Sequence, residues 1–137
     1  MSKKQTGEQS RNHLSEDQVK EILDRWLRKN GWETEIAWGR QHNEDIVVRK
    51  DGKRWIVEVK GWSERYQQRR NYFLNVLAVI LQRMENNRNT KYSIAFPNVE
   101  PYPNPRLWNE LPALAKERVK ISVLFVEENG RVVELES

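Results

Sequence analysis

The first strong pattern in the chain is helical. Val19, Ile22, Leu23, Trp26 and Leu27 recur at three- and four-residue spacing and form one apolar stripe. Ser15 and Gln18 make a capping-box pair ahead of it, Leu14 is placed to staple onto Val19, and Gly31 supplies a stop. A strand is expected around Glu33 to Trp38, followed by the loop "GRQHN". Val47 and Val48, then Trp55, Ile56, Val57 and Val59, are strand formers on either side of Asp51-Gly52, which predicts a hairpin closed by a two-residue type I′ turn. A longer helix is expected from about Tyr66 to Asn86, with Phe73, Val76, Leu77, Ile80 and Met84 on its buried face. "KYSIAF" reads as a strand closed by Pro97, and Pro97, Pro101, Pro103 and Pro105 mark the loop that follows. A short helix is expected near Trp108 to Lys116, then the buried strand "VKISVLFV", an Asn-Gly turn in "ENGR" and a last strand, "VVEL". The order α-β-β-β-α-β-α-β-β describes an α/β fold, a sheet with helices packed on it and an extra C-terminal hairpin.

The hairpin carries the chemistry. With Asp51 and Gly52 as the loop, Lys50 pairs with Lys53, Arg49 with Arg54, Val47 with Ile56, Ile46 with Val57, and Asp45 falls opposite Glu58. Opposed side chains share a face with Cβ atoms roughly 4.5–5.5 Å apart, and like charges there repel. Lys60 is two residues beyond Glu58 and shares its face. Two facing acids need a compensating charge, which the nearby lysine or a divalent cation supplies. Mg²⁺ is usually held by one or two carboxylates together with waters and substrate phosphates. Such an ion polarises a phosphoryl oxygen and activates a water, with Lys60 beside that water.

Length and composition narrow the reading. The 137 residues suit a single domain over 14–137, preceded by a polar tail over 1–13 that is expected to be disordered. Without cysteine there is no disulfide frame, which suits a reducing cytoplasm; with only His13 and His42, a zinc site is not expected. The start has no signal-peptide pattern, and the longest mostly apolar run, Tyr72 to Leu81, is too short to span a bilayer, so no membrane association is expected. The net charge of +4 is modest. Its distribution is more telling: Arg65, Arg69, Arg70, Arg83, Arg88 and Lys91 lie just downstream of the acidic pair, against only Glu64 and Glu85. That concentration points to a polyanion; duplex DNA would supply the phosphates for the chemistry of the acidic pair, with these arginines available to its backbone.

Asp45 followed by Glu58-Val59-Lys60, on a hairpin after a helix and a strand, resembles the active-site motif of the PD-(D/E)XK nuclease superfamily, whose restriction-endonuclease-like core has the same α-β-β-β-α-β order. The resemblance implies a Mg²⁺-dependent phosphodiesterase acting on DNA, with Mn²⁺ able to substitute. It implies that Asp45, Glu58 and the carbonyl of Val59 bind the metal and that Lys60 serves the attacking water. Many members add a glutamate from the first helix: Glu21 is the choice here, beside the apolar stripe, with Glu16 and Asp17 as alternatives. Glu44 stands where the group's name has proline. The second half, "KYSIAFP", a proline-broken loop and "VKISVLFV", is similar to the XisH-like branch, small proteins associated with DNA-element excision.

Arg40, His42, Arg65, Arg69 and Arg70 are the candidate DNA contacts, and a homodimer is expected because one short domain offers one site to a two-stranded duplex. Each has a plainer account. Glu-x-Lys on a strand is commonly a solvated pair, the arginines suit an exposed helix start, His42 suits a loop bystander, and Trp62 suits packing as well as base stacking. The rival reading from another class is a non-catalytic DNA- or protein-binding module on the same fold, such as a recombination or excision accessory factor, with a recombination or restriction protein as a candidate partner.

Overall fold

In the computed structural model the described residues are 12–39, 44–86, 89–103 and 107–136. Helix α1, Glu16–Lys29, begins at the expected cap: Ser15 and Gln18 make both reciprocal hydrogen bonds of a capping box. Strands β1 (Glu33–Ile36), β2 (Ile46–Lys50) and β3 (Lys53–Val59) follow, then helix α2 (Tyr66–Arg83) and strand β4 (Thr90–Pro97). After a 3₁₀ turn at Trp108–Glu110 come helix α3 (Ala113–Val119) and strands β5 (Ser122–Val126) and β6 (Val132–Glu136).

The six strands form one mixed sheet in chain order. β1, β2 and β3 pair antiparallel, β3, β4 and β5 pair parallel, and β6 returns antiparallel to β5. The expected α/β architecture is therefore the observed one. The helices follow from the two faces of the central strands. Ile56, Ile94, Phe96, Val123 and Phe125 face Phe73, Val76 and Ile80 of α2, together with Tyr102 and Trp108. Val57, Val59, Ala95, Leu124 and Val126 face Val19, Leu23 and Leu27 of α1, with Leu14 packed among them. Strands covered on both faces read as continuous apolar runs, which is why β4 and β5 lack alternation.

The hairpin register is as expected, from Lys50 opposite Lys53 to Ile46 opposite Val57. Asp51 and Gly52 both take positive φ, 52° and 77°, as a type I′ turn requires.

Several boundaries differ from the sequence reading. The segment over Trp108–Lys116 is broken rather than one helix, because Pro112 disfavours helical backbone at Leu111 and restarts the chain into α3. Val119 closes α3 and Lys120 adopts left-handed backbone at φ 52°, so β5 starts at Ser122, not Val119. The β5–β6 turn is longer than two residues. Gly130, at φ 94°, donates its N–H to the Glu127 carbonyl, and Glu127 pairs with Arg131, a three-residue loop in place of type I′. Asn12 and His13, placed in the tail by the sequence, touch the domain: the Asn12 amide bonds the Asn98 carbonyl, and His13 stacks on Trp62 at 3.7 Å. Among the described residues no helix is long and apolar enough to cross a membrane.

Candidate active site

The site forms where β2 and β3 part. β2 begins at Ile46, so Asp45 sits in a bend just outside the ladder, opposite Glu58. Each of its polar groups is held. Its N–H donates to Glu58 Oε2 at 3.0 Å, and its carbonyl accepts from the Ala37 N–H at 2.9 Å. Its side-chain Oδ2 accepts from the Val59 N–H at 2.8 Å, taking the place of the next ladder acceptor. The two acids therefore lie opposite each other as the register implies, but each is tied to the backbone beside the other. The expected sharing of one face is not met: the free oxygen of Asp45 turns to α1 and that of Glu58 to α2, which cover opposite faces of the sheet.

The remaining oxygen of Asp45 faces a cation that the sequence reading did not select. Lys20 Nζ lies 3.3 Å from Asp45 Oδ1 and 3.2 Å from Glu16 Oε2, and donates to the Ala37 carbonyl at 2.5 Å. Lys20 has no solvent exposure. Burial alone lowers the pKa of a lysine; Asp45 and Glu16 beside it outweigh that and hold it above the ordinary lysine value. A signal for Lys20 was present, since it precedes Leu23 by three positions and Leu27 by seven and so lies within the apolar stripe.

Glu58 points towards α2, where Arg83 Nη2 is 3.9 Å from its Oε1. Its side chain is only 6% exposed. Burial first, and the neighbouring Asp45 charge second, push its carboxyl up to about 7, against the partly offsetting Asp45 N–H bond and Arg83. Lys60 shares that face of β3, and its ammonium lies 5.3 Å from the centre of the Tyr72 ring. Among the described residues the cations paired with the two acids are thus Lys20 and Arg83 rather than Lys60.

Gly61 locks this end of β3 to the start of α1. A Cβ on Gly61 would lie 2.4 Å from the Glu16 nitrogen and 2.7 Å from the Ser15 carbonyl carbon, so only glycine permits the approach. The Trp62 N–H donates to the Leu14 carbonyl at 2.8 Å, and the Tyr102 hydroxyl donates to the Gly61 carbonyl at 2.8 Å. These contacts bring Glu16 and Lys20 over the acidic pair.

Other expected residues divide. Glu21 is not brought to the cluster: its side chain is 58% exposed and pairs with Arg25 on the outer face of α1. Of its alternatives, Glu16 joins through Lys20, while Asp17 accepts from the Gly39 N–H at 3.4 Å. Arg65 and Arg70 stand exposed at the start of α2. Arg69 turns inward, 4.9 Å from the centre of the Trp62 ring, and bonds the Ser63 carbonyl. Trp62 carries His13 as well as Arg69, which makes it a packing residue. Arg40 and His42 lie outside the described residues.

The donor set suits an ion of the Mg²⁺ type. Asp45 and Glu58 supply two carboxylates and Val59 adds a carbonyl; the charge on Glu58 is disfavoured first by burial and then by Asp45, a cost that a bound cation would offset. Asp45 retains 18% exposure of its side chain; the cavity of about 210 Å³ on the neighbouring strands is lined by Glu35, Ala37, Glu44, Val47, Arg49 and Arg54 and by neither acid. Among the described residues no three His, Cys, Asp or Glu side chains converge.

No protein-family model matches the chain, and no curated protein matches its sequence. Solved structures do resemble its fold. One is an XisH family protein from Nostoc punctiforme PCC 73102, at 17% identity and a TM-score of 0.55 over 85% of this chain and 97% of that one. Another is a fdxN element excision controlling factor protein from Anabaena variabilis, at 17% identity and a TM-score of 0.50 over 85% of this chain and 96% of that one. The fold is XisH-like.

Proposed function

We propose that this protein is a metal-dependent endonuclease that hydrolyses DNA phosphodiester bonds, with an active site of the PD-(D/E)XK kind. The observation that carries the reading is the reciprocal hold between Asp45 and Glu58, which ties both acids to the same end of the hairpin through each other's backbone. Asp45, Glu58 and the Val59 carbonyl would hold Mg²⁺ or Mn²⁺, which supplies an activated water and charge neutralisation at the phosphate. Lys60, its ammonium over the Tyr72 ring, would orient the water or stabilise charge growing on the phosphate. Arg65 and Arg70 would hold the DNA backbone. A second copy of the chain would serve the opposite strand, and the excision-factor name of one structural neighbour is compatible with a DNA-processing role.

One observation favours a second reading. Lys20 and Arg83 already face the outward oxygens of the two acids, an arrangement that also suits a non-cutting DNA- or protein-binding module. Incubating supercoiled plasmid with the protein in Mg²⁺, Mn²⁺ or EDTA separates the two. The nuclease reading expects metal-dependent nicking; DNA binding unchanged by EDTA, with no products in either metal, supports the module.

A further inference from the structure

The proposed metal site already contains a cation of its own. Asp45 has two side-chain oxygens: Oδ2 is occupied by the Val59 N–H, and Oδ1 faces Lys20 Nζ at 3.3 Å. Oδ1 is the oxygen of Asp45 that no backbone group bonds, and it is the one an ion would take with least disturbance of the hairpin end. At its bonding distance a hard divalent ion then sits within about 5 Å of the ammonium, where the two positive charges repel with little water between them. The ammonium has somewhere else to go. Glu16 Oε2 lies 3.2 Å away on the same side of α1, one turn earlier, and the Ala37 carbonyl holds Nζ throughout.

We infer that Lys20 is the resident counter-cation of this site: it holds Asp45 in place in the metal-free protein, and a divalent ion binds only as Lys20 shifts its weight from Asp45 to Glu16. Lys20 thereby weakens and tunes metal affinity, and Glu16 acts through Lys20 as its alternative partner. Both are positioning residues in this scheme. The buried setting is what gives Lys20 this leverage, because an exposed lysine would be screened and free to leave. The inference rests on the metal-site reading above.

The test is Mn²⁺ binding to the full chain, measured by titration calorimetry and by the electron paramagnetic resonance signal of the free ion. Lys20→Met keeps the length and apolar stem of the side chain and removes its charge, and is expected to bind Mn²⁺ about tenfold tighter than the native protein. Lys20→Arg restores a charge at the position and is expected to return affinity to within about threefold of native. Glu16→Gln leaves Lys20 with Asp45 as its only carboxylate and is expected to weaken Mn²⁺ binding about threefold; Glu16 is a third exposed, so this variant tests the idea even where Lys20→Met does not fold. Asp45→Asn is the control for the site itself. If Asp45→Asn abolishes binding while Lys20→Met binds no tighter than native, or Glu16→Gln binds no weaker, the counter-cation role is overturned and the metal site stands. If neither the native protein nor Lys20→Met binds Mn²⁺, or Asp45→Asn binds like native, the metal-site reading falls and the inference falls with it.

Discussion

Asp45 and Glu58 each accept a hydrogen bond from backbone beside the other: the Asp45 N–H donates to Glu58 Oε2 at 3.0 Å, and the Val59 N–H donates to Asp45 Oδ2 at 2.8 Å. The exchange closes the ladder where β2 has ended, and it fixes both carboxylates without requiring them to face each other directly. On the nuclease reading, Asp45→Asn, Glu58→Gln and Lys60→Met should each lower Mg²⁺-dependent nicking at least about a hundredfold, since each removes charge at the reacting phosphate. Glu21→Ala, on the outer face of α1, should leave nicking unchanged. Plasmid nicking with circular dichroism as a folding control checks all four.

Glu58 also sets a pH dependence. Its carboxyl rises from the ordinary 4.5 to about 7 in the folded chain. Between those values the folded protein binds more protons than the unfolded one, so stability falls as pH rises through the window and is lowest above it. The size is on the order of 3 kcal/mol. Urea unfolding at pH 5 and pH 8 should show this loss in the native protein and a much flatter response in Glu58→Gln. A native protein equally stable at both pH values would remove the strained carboxyl. The same ionisation should make Mn²⁺ binding tighten as pH rises through about 7, because the metal needs the carboxylate.

Gly61→Ala places a methyl group 2.4 Å from a backbone nitrogen of α1, where no side chain can yield. The expected cost is about 2–3 kcal/mol, as for an overpacked core. Because the same approach of Gly61 to α1 holds Lys20 against Asp45, displacing that helix should also loosen the Lys20–Asp45 pair and tighten Mn²⁺ binding at temperatures where the variant is folded. Urea midpoint and Mn²⁺ affinity, measured together, decide whether both follow.

The arginines at the start of α2 should separate by exposure. The double variant Arg65→Ala/Arg70→Ala should leave stability unchanged and reduce the salt slope of duplex binding by about 2, one for each phosphate that an arginine no longer neutralises. Arg69→Ala should instead cost about 1 kcal/mol of stability, because the guanidinium no longer packs on Trp62. A salt slope that the double variant leaves unaltered would move the DNA interface away from α2.

The sequence alone determined the hairpin and its consequence. Asp51-Gly52 imposes a turn type, the turn fixes the pairing, and pairing is arithmetic, so Asp45 opposite Glu58 was legible before any fold was known. The stripes of α1 and α2 and the α/β class were equally local readings. The cations that meet the acids were not legible in this way. Glu21 and Lys20 are adjacent in sequence but rotated by about 100° around α1. Which of them reaches Asp45 depends on how the helix lies against the end of β3. That placement comes from Gly61, Leu14 and Tyr102, residues far apart in the chain whose contacts exist only once α1, β3 and the proline-rich loop are packed. Backbone geometry carries register over a few residues, whereas the pairing of a buried charge is set by whichever elements close around it, and only the tertiary structure brings those together.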